Sequence, residues 1–257
     1  MTSVAQVIKS VGPKLVPFFK TLAIYFVVFI PQDQPSLLAT VLKCLPIISL
    51  VVFIILHTKS TGTDPRFAKL IIAGMLFGCV GDACLIWPGY FDTGVLSFLI
   101  GHLIYIYAFG FKPLNLPVGI VCYACAIMGV LFFWPDIQDV LLVGVPVYSI
   151  VLMTMVWRVA ARVQFSEDQW TWSKLWTCLG GISFAVSDFF VGMDHFRGSF
   201  EYDQLIIMTT YYGGQLGLAL SVLDAKIETP VNLKSHKHQC SKSTTTDSKQ
   251  TLMASSK

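Results

Sequence analysis

Two aspartates, Asp82 and Asp188, lie well inside long apolar stretches of this chain, and a lysine, Lys43, lies inside a third. An ionisable side chain deep in a membrane-spanning helix costs about 2.5 kcal/mol or more to insert, so such groups face the protein interior and mark function. The same kind of stretch also holds His102, Tyr105, Tyr211, Tyr212 and Gln215. His102 is three residues from Tyr105, and Tyr212 three from Gln215, so each pair shares a helix face. Buried groups of this kind suit a catalytic site, a proton-coupled carrier, or a structural ion pair braced by interhelical hydrogen bonds. Two separate buried aspartates favour function over a purely structural role. Asp194 and Asp224 sit at helix ends that water reaches.

The elements that position these groups follow from composition. The 257 residues are 54% hydrophobic and 13% charged, with a mean hydropathy of +0.67, whereas a soluble globular chain carries about 25% charged residues. Lipid is therefore the solvent for most of the surface. Apolar runs long enough to cross the hydrocarbon layer, about 20 residues each, fall near 14–30, 36–57, 67–87, 93–111, 115–134, 138–162, 172–194 and 202–225. Turn-rich breaks such as Pro31-Gln32-Asp33-Gln34-Pro35, Thr61-Gly62-Thr63-Asp64-Pro65 and Pro88-Gly89 end them. The expected architecture is all-α and polytopic, a bundle of about eight transmembrane helices over residues 1–228. Residues 229–257 are rich in Ser, Thr and Lys, and are expected to form a disordered cytosolic tail.

Counting about 1.5 Å per residue, Asp82 and Asp188 lie roughly 22–24 Å from the cytosolic boundary, and Lys43, entering from the opposite side, about 10 Å below the far one. The three share a layer. The segment Gly74–Asp82 (GMLFGCVGD) resembles Gly180–Asp188 (GGISFAVSD), and Tyr105 follows Asp82 by 23 residues as Tyr211 follows Asp188. That spacing suggests two parallel four-helix repeats.

The net charge of +3 is spread over loops and tail rather than gathered in one patch, so a nucleic-acid partner has no support. Cys122 and Cys125 form a C-x-x-C with no second pair or histidine nearby, which reads as packing and not as a metal site.

The stretches Lys9-Ser10, Gly12 through Lys20, Lys43-Cys44-Leu45-Pro46, Gly81 through Trp87, Gly101-His102 with Tyr105, Ser187-Asp188, and Tyr211-Tyr212 with Gln215 occur in order across the eight spans. In them the chain resembles the YhhN-like family of integral membrane lysoplasmalogenases, the vertebrate members in particular, from about residue 5 to 226. Bacterial members carry Lys-Pro in span two, where this chain inserts Cys44-Leu45. The resemblance implies a hydrolase of the endoplasmic reticulum membrane that needs no cofactor and no metal. Its substrate would be a lysoplasmalogen, a lysophospholipid drawn from the surrounding membrane lipids, and its products a fatty aldehyde and glycerophosphoethanolamine or glycerophosphocholine.

The resemblance also implies a division of labour. A vinyl ether is cleaved by protonating its carbon–carbon double bond; water captures the resulting oxocarbenium ion, and the hemiacetal collapses. One carboxylic acid must hold a proton while a second group activates water, and burial in a low-dielectric span favours the protonated form of a carboxyl. Either aspartate can fill either role. Asp188 is favoured as the acid and Asp82 as the base, because spans two and three are neighbours and bring Lys43 to Asp82. His102, Tyr105, Tyr211, Tyr212 and Gln215 would orient water or the glycerol and phosphate oxygens. The alternative is a proton-coupled transporter using the same charges, which would be expected to show broken half-helices in matched positions.

Orientation follows the positive charges, which stay on the cytosolic side of short loops. Fifteen of the 18 basic residues fall on one side by this alternation, and the opposite loops hold only Arg197. A tag at either terminus is therefore expected to be open to the cytosol, with the loop carrying Arg197 lumenal. Protection of a C-terminal tag from protease in sealed microsomes would contradict this.

Overall fold

The computed structural model describes residues 4–31, 34–163 and 171–225. The tail expected over 229–257 lies outside the described residues. Within them the chain forms eight α-helices: α1 Val4–Val28, α2 Leu37–Thr61, α3 Pro65–Ile86, α4 Phe91–Phe109, α5 Leu116–Phe133, α6 Leu141–Ala161, α7 Trp172–Arg197 and α8 Asp203–Leu220. All eight are long and apolar enough to cross a membrane. Large apolar side chains point outward, among them Val27, Ile120 and Leu131 at 85%, 71% and 64% exposure. That surface is stable against lipid and not against water.

Local chemistry sets the helix ends. The side chains of Ser36 and Asn115 accept from the amides of Ala39 and Val118 at the starts of α2 and α5, and Thr171 does the same for Lys174 in α7. Pro65 and Pro117 occupy the first turns of α3 and α5, where a missing amide is harmless. α1 departs from expectation by starting at Val4 instead of near residue 14, and it runs through Pro13 and Pro17. Each proline removes one helical hydrogen bond, and the bonds on either side carry the helix through.

Within the first half α1 packs on α2, α2 on α3 and α3 on α4; within the second, α5 packs on α6, α6 on α7 and α7 on α8. The halves join where α2 meets α8 and where α4 meets α6. Exchanging α1–α4 with α5–α8 turns this set of principal neighbours into itself, the pattern that two parallel repeats produce. At the α7–α8 crossing the backbones touch, since a Cβ on Gly180 would stand 2.7 Å from the Cα of Gly217.

Arg158 belongs to the fold and not to a loop. It is fully buried at the end of α6, donating to the carbonyls of Gly110 at 2.6 Å and Pro113 at 2.9 Å, beneath the ring of Phe111. It ties α6 to the turn between α4 and α5.

Candidate active site

Asp82 lies near the end of α3 with its side chain 3% exposed. One oxygen, Oδ1, faces the Lys43 ammonium from α2 at 3.8 Å, and the other accepts from the Tyr211 hydroxyl of α8 at 2.6 Å. Tyr211 in turn accepts from Gln215 Nε2 at 3.1 Å, and Gln215 Oε1 accepts from Tyr105 at 3.4 Å. Three donors and acceptors thus stand in line behind one carboxylate, which is how a buried charge is made tolerable. Room for that line comes from Gly78, where a Cβ would lie 3.0 Å from Gln215 Nε2 and 3.3 Å from the Tyr211 hydroxyl.

Lys43 is held by its backbone. Pro46 has no amide to give the carbonyl of Leu42, and one residue on, the Lys43 carbonyl accepts from the Tyr212 hydroxyl at 2.8 Å. Tyr212 therefore fixes the segment of α2 that carries the ammonium.

Asp188 sits at mid-length of α7. Its Oδ2 accepts from the Tyr148 hydroxyl of α6 at 2.6 Å and lies 3.6 Å from His102 Nε2. His102 Nε2 is also 3.1 Å from the Tyr148 oxygen. Because Tyr148 gives its proton to Asp188, its oxygen accepts from His102, which assigns the imidazole proton to Nε2. His102 Nδ1 is buried with no partner, as a bare lone pair tolerates better than an N–H. The two carboxyls thus share one design, a tyrosine donor backed by an N–H group.

Both aspartates line a single cavity of about 460 Å³, together with Lys43, Tyr148 and Tyr211. Its remaining wall is largely apolar, formed by α3 to α8. His102, Tyr105, Tyr212 and Gln215 do not line it; each is at most 1% exposed and sits one layer behind. Of the two roles open to these four, contact with substrate or support of the site, their position matches support: His102 Nε2 meets Tyr148, Tyr105 meets Gln215, Tyr212 meets the Lys43 carbonyl and Gln215 meets Tyr211. Tyr148 is the polar group that sequence reasoning missed. It is neutral and falls in an apolar run after Pro146, so no insertion penalty marks it, and only its depth opposite Asp188 could have pointed to it. The repeat also misleads here: Tyr211 serves Asp82 across the halves, whereas its counterpart Tyr105 does not reach Asp188. Among the described residues no three His, Cys, Asp or Glu side chains converge as metal ligands.

Leaving a buried acceptor without its donor costs about 1–3 kcal/mol. Tyr148→Phe should therefore lower the unfolding free energy in detergent by roughly that amount, whereas Tyr105→Phe, which loses only a 3.4 Å bond to a neutral amide, should cost under about 1 kcal/mol. Equal losses would show that Asp188 does not rely on Tyr148.

The YhhN family profile matches residues 38–222. Lysoplasmalogenase TMEM86A of Bos taurus is 36% identical over 228 residues, covering 88% of this chain and 95% of the relative. Lysoplasmalogenase TMEM86B of Sus scrofa is 37% identical over 214 residues, 82% of this chain and 87% of the relative. A lysoplasmalogenase of Mycobacterium tuberculosis is 30% identical over 145 residues, 51% of each. No solved structure matches. With Lys43, Asp82 and Asp188 set in eight apolar helices and a profile covering most of its length, this chain belongs to the YhhN family.

Proposed function

We propose that the chain is a lysoplasmalogenase, hydrolysing the vinyl ether of lysoplasmalogens to a fatty aldehyde and glycerophosphoethanolamine or glycerophosphocholine. It acts in the endoplasmic reticulum membrane with both termini in the cytosol. The observation that carries this reading is one largely apolar cavity lined by both carboxyls, Lys43, Tyr148 and Tyr211, in a chain whose relatives bear that name. The carrier alternative finds no support, since the eight helices run unbroken.

The two carboxyls keep different company. Asp82 faces a fixed ammonium at 3.8 Å and acts as the carboxylate. Asp188 faces the Tyr148 hydroxyl and the His102 imidazole and acts as the acid. Asp188 gives its proton to the alkenyl carbon distal to oxygen, and positive charge spreads over the adjoining carbon and the ether oxygen. Asp82 stabilises that cation and takes a proton from the water that attacks it. Collapse of the hemiacetal breaks the carbon–oxygen bond, releasing the aldehyde and the glycerol hydroxyl, and the proton balance returns through the same two groups. Tyr148 occupies one oxygen of Asp188 and leaves the other for substrate, while Asp82, with Tyr211 on one oxygen, shares the other between Lys43 and water. His102, Tyr105, Tyr212 and Gln215 position these groups from behind.

Asp82→Asn and Asp188→Asn should each lower turnover per folded molecule by at least ~100-fold with near-normal membrane insertion, since acid–base groups contribute 10²–10⁴-fold. A neutral amide is easier to bury than a carboxylate, so a structural role predicts the opposite: poor yield, with surviving protein active. The double variant should be scarcely worse than the worse single one. Wild-type turnover in either single variant would end the two-aspartate mechanism.

A further inference from the structure

The cavity is not uniform. At the end nearest the α3–α4 and α7–α8 turns it is lined by Trp87, Phe91, Phe133, Asp194, His195 and Phe196. The rings form one continuous group: Phe91 stacks on His195 with centroids 3.4 Å apart, Phe196 stands edge-on to Phe91 at 6.5 Å, and Phe133 lies 5.6 Å from Phe196. The Asp194 carboxylate shares that end, six residues beyond Asp188 on α7, a rise of roughly 9 Å. The wall on the α5 side has the opposite character. Cys125, Ala126 and Gly129 of α5 meet Leu152 and Met153 of α6 with no charge among them. At Gly129 an added Cβ would meet nothing within 4 Å, so this position opens onto empty cavity.

We infer that the cavity holds its lysophospholipid in one orientation, with a cationic amine headgroup against Asp194 and the surrounding rings and the alkenyl chain along the α5 wall at Gly129. This rests on the reading above and adds to it the side on which each part of the substrate is recognised. A carboxylate beside aromatic faces is the pairing that attracts an ammonium, through charge and through the negative faces of the rings. The glycerol, phosphate and amine-bearing arm are long enough to reach from the carboxyl pair to Asp194. The phosphate between them falls within the stretch bounded by Lys43 and His195, the two basic side chains lining the cavity. An apolar wall of small side chains suits the methylene chain, which gains nothing from the ringed end that it would not gain there.

The test uses purified full-length protein in detergent and two pairs of probes. The first pair is a 1-alkenyl glycerophosphocholine and the 1-alkenyl glycerophosphate that lacks the amine. Asp194→Asn should reduce the kcat/KM ratio of the first to the second by about tenfold, carried mainly by KM, as loss of one charged contact does. The second pair is a hexadecenyl and an octenyl lysoplasmalogen. Gly129→Leu should reduce the long-to-short ratio by about tenfold, since its Cβ enters open space and the rest of the side chain takes up room along that wall. An unchanged ratio in either pair overturns the orientation while hydrolysis by the wild type upholds the activity. Absence of hydrolysis of every probe by the wild type overturns both.

Discussion

A charged pair placed in a lipid-facing bundle governs much of this structure. Lys43 and Asp82 are 3.8 Å apart with side chains 11% and 3% exposed, where each ion alone would carry a desolvation cost of several kcal/mol. Attraction alone does not offset that cost; the remaining lone pairs must also be satisfied. Tyr211, Gln215 and Tyr105 supply this for Asp82, and Tyr212 anchors the backbone of Lys43. These partners come from α4 and α8, so the ion pair binds α2 and α3 to the centre of the bundle. Gly78 is small for the same reason, because a side chain there would push into Gln215 and Tyr211.

The second carboxyl is built with similar parts and different neighbours. Asp188 has a tyrosine donor and a histidine behind it and, among the described residues, no Lys or Arg in an ion pair with it. Both carboxyls line one cavity, and an ammonium stands beside only one of them. The positioning groups come from the junctions of the two halves: α2 and α3 meet α8 around Asp82, while α4 and α6 meet α7 around Asp188. The candidate site thus lies where the two halves join.

Much of this was legible in the sequence because charge in an apolar run is conspicuous. Lys43, Asp82 and Asp188 stood out by cost, and counting residues along helices placed them at one depth. The eight spans followed from run length and turn residues. Neutral polar groups gave weaker signals. His102, Tyr105, Tyr212 and Gln215 were visible as polar residues at the right depth, but nothing in spacing says whether a side chain faces a cavity or stands behind the group that does. Tyr148 was invisible for the complementary reason, being amphipathic enough to sit in an apolar run at no evident cost. The burial of Arg158 under the α4–α5 turn gave no signal, because it depends on carbonyls that only the folded chain brings together.

Protonation of the alkenyl carbon by a fixed carboxyl inside the cavity can be followed by hydrolysing a lysoplasmalogen with the purified protein in deuterium oxide. The aldehyde, trapped by reduction as it forms, is examined by mass and by NMR. A carboxyl held on a helix reaches one face of the double bond, so the account predicts one deuterium on the carbon next to the former carbonyl, in a single stereochemical sense. Aldehyde without deuterium at that carbon, or with both senses in equal amount, would contradict it.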